Sequence, residues 1–135
     1  MNKEKEYLSW QQIEELIKET VKKLVSQNYK HIFGITIGGI IPAILIAREL
    51  DIKDITFIPA GEGLQVSLGG YWSDVLIVDD IYDTGKTYEI VNSAYRDIGV
   101  VFDYACLLTR YETDKVFYGS VLNHDKWIVF PWEKE

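Results

Sequence analysis

Val75-Leu76-Ile77-Val78-Asp79-Asp80-Ile81-Tyr82-Asp83-Thr84-Gly85-Lys86-Thr87 joins an apolar run to a polar loop that leads into a helical pattern. Four consecutive apolar residues fit a strand covered on both faces, as in a parallel sheet flanked by helices. Ile90, Val91, Ala94 and Ile98 then recur at helical spacing, with Gly99 as a stop. The stretch reads as strand, loop and helix, with the helix starting near Thr84.

The same unit recurs on either side. Ser9 with Gln12 three residues later is a capping-box pattern, and Ile13, Leu16, Ile17, Val21, Leu24 and Val25 mark the inward face of a helix predicted to stop near Asn28. Its Glu/Lys-rich face is a solvated surface. His31 to Ile37 is a strand, Gly38-Gly39 a turn, and Pro42 opens a helix reaching about Leu50. Ile55 to Ile58 is another strand, Pro59 to Gly63 a loop, Leu64 to Leu68 a short strand and Gly69-Gly70 a turn. Val101 to Leu108 is a buried strand. A polar stretch with Arg110, Lys115 and Tyr118 follows, and Trp127 to Trp132 is rich in strand formers. This alternation predicts an α/β fold with a mainly parallel central sheet flanked by helices. With 135 residues and 47% hydrophobic composition the chain supports one core, so a single domain over residues 1–135 is expected.

Twenty-one acidic against 14 basic side chains give a net charge of -7, which opposes a grip on nucleic acid backbone. No apolar run approaches the roughly 18 residues of a membrane span, and MNKEKEYLSW lacks the apolar stretch of a signal peptide. A cytoplasmic protein with neither nucleic acid nor membrane as partner is expected. The single cysteine, Cys106, lies in an apolar run and reads as core.

Asp79-Asp80 ends the most apolar strand, where ligands of open α/β sheets sit. Adjacent carboxylates there need an offsetting partner, and a sugar diol or a magnesium ion supplies one. Thr84-Gly85-Lys86-Thr87 runs into a helix and offers backbone amides, two hydroxyls and the helix dipole to one phosphate group. Triphosphate-binding loops also end in glycine, lysine and threonine, but require a glycine five positions before Gly85. This chain has Asp80 there, and a carboxylate inside the cradle would repel a polyphosphate. A diol and a monophosphate on one short loop describe a ribose 5-phosphate.

Residues 75–87 resemble the phosphoribosyl-pyrophosphate motif of the type I phosphoribosyltransferases, and are most similar to its hypoxanthine and xanthine-guanine branch. The resemblance implies a purine phosphoribosyltransferase that makes a nucleoside 5′-monophosphate and pyrophosphate from 5-phosphoribosyl 1-pyrophosphate and a purine base. It also implies Mg2+ as cofactor and a homodimer or larger homo-oligomer. Asp79 and Asp80 would hold the ribose hydroxyls, directly or through Mg2+. Asp83, Thr84, Gly85, Lys86 and Thr87 would cradle the 5-phosphate, and Asp83 would face N7 of the purine as general base. Ile37, Gly38 and Gly39 resemble the family's pyrophosphate loop. WIVFPWE, residues 127–133, resembles its small C-terminal base-binding segment. There Trp127 would stack on the purine, the main chain at Ile128 would read its edge, and Arg110 would stand where the family places a lysine against the exocyclic oxygen.

Two features depart from the family pattern. Ile37 occupies a place that is usually basic, and Pro59 to Asp74, corresponding to a hood loop, contains no Lys or Arg. These imply a slow enzyme, or one whose substrate differs from the usual, in which Ser67, Tyr71 or Ser73 donates hydrogen bonds on closure. They also leave open a catalytically weak relative that binds a nucleotide or phosphoribosyl pyrophosphate as a regulatory ligand. Simpler roles stand beside the functional ones: capping or surface carboxylates for Asp79 and Asp80, a helix cap for Asp83, a tight turn for Gly38-Gly39, edge packing for Trp127, and solvated charge for Arg110 and Lys115. His31 and His124 have no partners at metal or triad spacing and read as structural.

Overall fold

The computed structural model describes residues 4–60 and 72–134. In chain order the elements are β1 (Lys5–Tyr7), α1 (Trp10–Leu24), β2 (His31–Thr36), α2 (Ile40–Leu50), β3 (Ile55–Pro59), β4 (Val75–Tyr82), α3 (Lys86–Asp97), β5 (Phe102–Thr109), β6 (Phe117–Val121) and β7 (Trp127–Val129). Five strands form a parallel sheet in the order β3-β2-β4-β5-β6, while β1 and β7 pair in a separate parallel ribbon.

Period-2 alternation divides the core between the two faces of the sheet. Ile32, Leu76, Val78, Ala105 and Leu107 pack under α1 and α2, against Ile13, Ile17, Leu24, Ala43 and Ile46. Phe33, Ile77, Phe102, Tyr104 and Cys106 belong to the cluster with Val91 and Tyr95 of α3. Burying an aliphatic side chain of this size contributes about 2 kcal/mol. Helix α1 starts as its sequence demands, with Ser9 Oγ accepting from the Gln12 amide at 3.1 Å and Gln12 Oε1 accepting from the Ser9 amide at 2.8 Å. No described helix is long and apolar enough to cross a membrane.

The fold differs locally from the sequence reading. Helix α1 ends at Leu24 rather than near Asn28, and Val25, at the C-cap, is exposed rather than on the inward face. Strand β2 stops at Thr36, the Thr36-Ile37 peptide is cis, and Ile37 projects outward with 79% exposure. Pro42 sits in the first turn of α2, two residues after the first helical position. Strand β4 runs four residues further than its apolar core, through Tyr82, and α3 begins at Lys86. The polar stretch after Arg110 contains β6, an edge strand beside β5. The C-terminal strand is Trp127–Val129, and it pairs with β1 rather than with the main sheet. The short strand and glycine turn expected within residues 64–70 lie outside the described residues.

From β2 the chain crosses to β3 on one side, and from β4 it proceeds to β5 and β6 on the other. The loops leaving β2 and β4 therefore diverge and open a crevice at the carboxyl ends of these neighbouring strands, the place where this architecture binds ligands.

Candidate active site

Strand alternation starts the two adjacent carboxylates towards different sides of β4, and at the carboxyl end of the strand both reach the same cleft. Asp79 follows Ile77 onto the α3 side, opposite Cys106 in the register, and the residue is 7% exposed. Its Oδ1 accepts from the Asp80 amide at 2.8 Å and its Oδ2 from the Tyr104 hydroxyl at 3.2 Å. Asp80 points the other way, against the turn that leaves β2, and its Oδ1 accepts from the Ile81 amide at 2.7 Å. A methyl group built on Gly38 would stand 2.3 Å from Asp80 Oδ2, and one on Gly39 would stand 2.4 Å from the Val78 carbonyl. Gly39 is therefore required by packing, since any side chain there would collide with backbone, whereas a side chain at Gly38 would displace the Asp80 carboxylate.

Burial raises the proton affinity of both carboxyls, and the hydrogen bonds that Asp79 accepts offset this only in part. Asp80 is pushed up to about 8 by burial and by the charge of Asp79 beside it. Burial, followed by the Asp79 charge, likewise raises the Tyr104 hydroxyl and the Cys106 thiol. Without a ligand the pair is thus electrostatically unsatisfied, and a cation or a hydrogen-bond donor placed between the carboxyls would relieve it.

After Tyr82 the chain turns through Asp83 and Thr84 to Gly85, which adopts φ 87° and caps α3 with no side-chain hydrogen bond. A Cβ there would lie 2.8 Å from the Tyr82 hydroxyl, so both the left-handed backbone and the space require glycine. The Lys86 amide donates to Thr84 Oγ1 at 3.3 Å. Loop, carboxylates and glycine turn enclose a cleft of about 250 Å3, with Thr36, Gly38, Asp79, Asp80, Asp83 and Lys86 on its walls.

The cleft brings Gly38, Asp79, Asp80 and residues 83–87 together. The Ile37 side chain lies outside its lining, and the Gly39 amide is committed to the Ile35 carbonyl at 2.7 Å, which leaves Gly39 as the point of close approach to β4. Ser67 and Tyr71, expected in the hood, lie outside the described residues. Among the described residues no group of three or more His, Cys, Asp or Glu is placed to hold a metal ion.

No protein-family model matches the chain. It is 31% identical, over 94% of its length and 86% of the relative's, to a xanthine-guanine phosphoribosyltransferase of Cereibacter sphaeroides. A xanthine-guanine phosphoribosyltransferase of Chromohalobacter salexigens is 36% identical over 93% of this chain and 82% of its own. The chain belongs to the xanthine-guanine phosphoribosyltransferase family. The crystal structure of a purine phosphoribosyltransferase from Pyrococcus horikoshii superposes with a TM-score of 0.78 at 33% identity, covering 98% of this chain and 95% of that one. The enzyme is accordingly a purine phosphoribosyltransferase with the type I α/β fold.

Arg110, Trp127 and Ile128, the residues expected to bind the base, are not among those that line the cleft of this phosphoribosyltransferase. Trp127 is 54% exposed on β7, and Ile128 beside it is buried. Arg110 is no solvated charge: its guanidinium binds Asp83 and two main-chain carbonyls, whereas Lys115 is exposed and paired with Glu89. His31 pairs with Asp54, and His124 Nε2 lies 3.5 Å from Glu6. Tyr82, Tyr88 and Tyr104, all lining the cleft, were missed by the sequence reading. Their edge-on contacts, Tyr82 with Tyr88 at 5.9 Å and Tyr88 with Tyr104 at 5.1 Å, build the wall beside the 83–87 loop.

Proposed function

We propose that this enzyme transfers the phosphoribosyl group of 5-phosphoribosyl 1-pyrophosphate to a 6-oxopurine of the hypoxanthine, guanine or xanthine type. The observation that carries this reading is the convergence of the Asp79/Asp80 pair, the Gly38 turn and the 83–87 loop on one cleft. Asp79 and Asp80 accept hydrogen bonds from the ribose hydroxyls, and the start of α3 with Thr84 and Thr87 holds the 5-phosphate. Amides of the Ile37-Gly38 turn face the pyrophosphate. The bond from C1 of the ribose to the pyrophosphate oxygen breaks as the bond from C1 to a purine ring nitrogen forms. Asp83 takes the proton that the purine loses at N7, and pyrophosphate leaves with the electron pair of the broken bond. Trp127 stacks on the base, the main chain at Ile128 reads its edge, and Arg110 stands beside that edge. The work is mostly positioning and electrostatic stabilisation of a cationic sugar, with no covalent nucleophile.

The donor set fits Mg2+. Two hard-oxygen groups, one buried and one partly buried, carry a charge in need of compensation, and they are too few to satisfy the ion alone, which suits one that keeps waters and substrate oxygens. When bound at Asp79 and Asp80, the ion would supply neutralising charge for the pyrophosphate. By the same family likeness, the protein would work in the cytoplasm as a homodimer or larger assembly.

The test is nucleotide formation from phosphoribosyl pyrophosphate, Mg2+ and hypoxanthine, guanine, xanthine or adenine in turn. The 6-oxopurines should react. Asp83→Asn should lower kcat on the order of 100-fold while leaving the KM for phosphoribosyl pyrophosphate within a few fold. An equally active variant would remove Asp83 from the general-base role. Ile37, an apolar and exposed residue at the leaving-group turn, favours one second reading: a regulatory binder of the same ligands. Binding without turnover on any base would select it.

A further inference from the structure

Arg110 leaves β5 from a rigid point. Its amide donates to the Tyr82 carbonyl at 3.0 Å, and the Leu122 amide donates to the Thr109 carbonyl at 2.8 Å, so the strand end is held on both sides. Its side chain is 15% exposed. Its Nη1 donates to the His124 carbonyl at 3.1 Å, its Nη2 to the Lys126 carbonyl at 2.9 Å, and its Nε to Asp83 Oδ1 at 3.2 Å. One planar group thus addresses acceptors on two separate pieces of chain, the phosphate loop and the segment leading into β7.

That segment is held from its other side as well. The Trp127 amide donates to the Glu4 carbonyl at 2.8 Å, and the Lys126 amide to His124 Nδ1 at 3.1 Å. Asp83 keeps 51% of its side chain exposed while Arg110 engages its Oδ1. The carboxylate therefore remains accessible to a ligand although its orientation is set. A surface arginine keeps its head in water, whereas this one has committed its head to main-chain carbonyls, where it does more for geometry than for charge.

We infer that Arg110 is a positioning residue that sets the dimensions of the purine slot, by fixing Asp83 and the main chain of residues 124–127 at one separation. The inference rests on the purine reading above. It makes the guanidinium shape, rather than the positive charge, the required property. Lysine carries a single nitrogen on a flexible stem and cannot serve three divergent acceptors.

The experiment compares wild type, Arg110→Lys and Arg110→Ala by calorimetric titration with two probes, GMP and phosphoribosyl pyrophosphate with Mg2+, and by steady-state kinetics. In Arg110→Lys, GMP affinity and kcat/KM for the purine should fall on the order of 10- to 100-fold, with phosphoribosyl pyrophosphate binding within about twofold. Methylguanidinium should restore part of the purine activity of Arg110→Ala and none of Arg110→Lys. A lysine variant that binds GMP like wild type overturns the inference and leaves the purine reading standing. Equal loss of both ligands together with a lowered Tm reduces Arg110 to a structural residue. A wild type that binds phosphoribosyl pyrophosphate but neither GMP nor any purine overturns both.

Discussion

Asp80→Asn should make the ligand-free protein more stable at neutral and alkaline pH while removing its activity. The Asp80 carboxyl has an ordinary value of 3.8 and is pushed up to about 8 by burial and by Asp79. A carboxyl whose folded value lies above its unfolded value binds more protons when folded, so its neutral-form stability is fully present below about pH 4 and is lost as pH rises towards 8. At pH 7 the ceiling on this penalty is about 4 kcal/mol, taking about 1.4 kcal/mol for each pH unit between 3.8 and 7. Asp80 is only partly buried, and solvent screening at the mouth of the cleft reduces the effect to about 2 kcal/mol. In a chain of this length that is a rise of about 6 °C in Tm. Asparagine keeps an acceptor oxygen for the Ile81 amide and cannot ionise. Scanning calorimetry in a chelating buffer at several pH values should show the variant's advantage growing from nearly nothing at about pH 4 to its full size at about pH 8. Mg2+ with phosphoribosyl pyrophosphate should reverse the order, because only wild type gains from the ligand. An advantage of equal size at both ends of that range would refute the electrostatic account, and a variant less stable at high pH would invert it.

Alanine at the paired glycines separates two kinds of obstruction. The Gly38 methyl would meet a side-chain carboxylate and the Gly39 methyl a backbone carbonyl, so Gly39→Ala should lose about 1–3 kcal/mol more stability, while Gly38→Ala mainly displaces Asp80 and abolishes turnover. Comparing Tm with activity for the two variants checks this ranking. Tyr104→Phe keeps the ring against Tyr88 and deletes one donor to Asp79. It should raise the KM for phosphoribosyl pyrophosphate about tenfold and leave that for the purine unchanged, which steady-state kinetics would read directly.

The part of the cleft proposed to hold the phosphoribosyl group was legible because its chemistry is contiguous. An apolar run entering two carboxylates and then a glycine-bearing helix start lies within residues 75–87, and the interactions that build it are mostly between near neighbours, such as the Asp80 amide with Asp79 and the Lys86 amide with Thr84. The part proposed to hold the base is assembled from distant pieces. Strand β1 is three residues long, and neither it nor β6 has a pattern that reveals its partner. The residues alone gave Arg110 no more than a solvated charge, with a base role only by family resemblance, because two of its three partners are backbone carbonyls 14 and 16 residues away, and every residue carries such an acceptor. Tyr104 is a different case, since a signal for it existed. A tyrosine inside a run read as wholly buried brings a hydroxyl that must find a partner. Once β5 is set beside β4, Tyr104 stands opposite Ile77 and Cys106 opposite Asp79, so the nearest carboxylate on that face is Asp79. The demand for a partner was in the sequence, and its answer required only the pairing of two strands that the sequence had already identified.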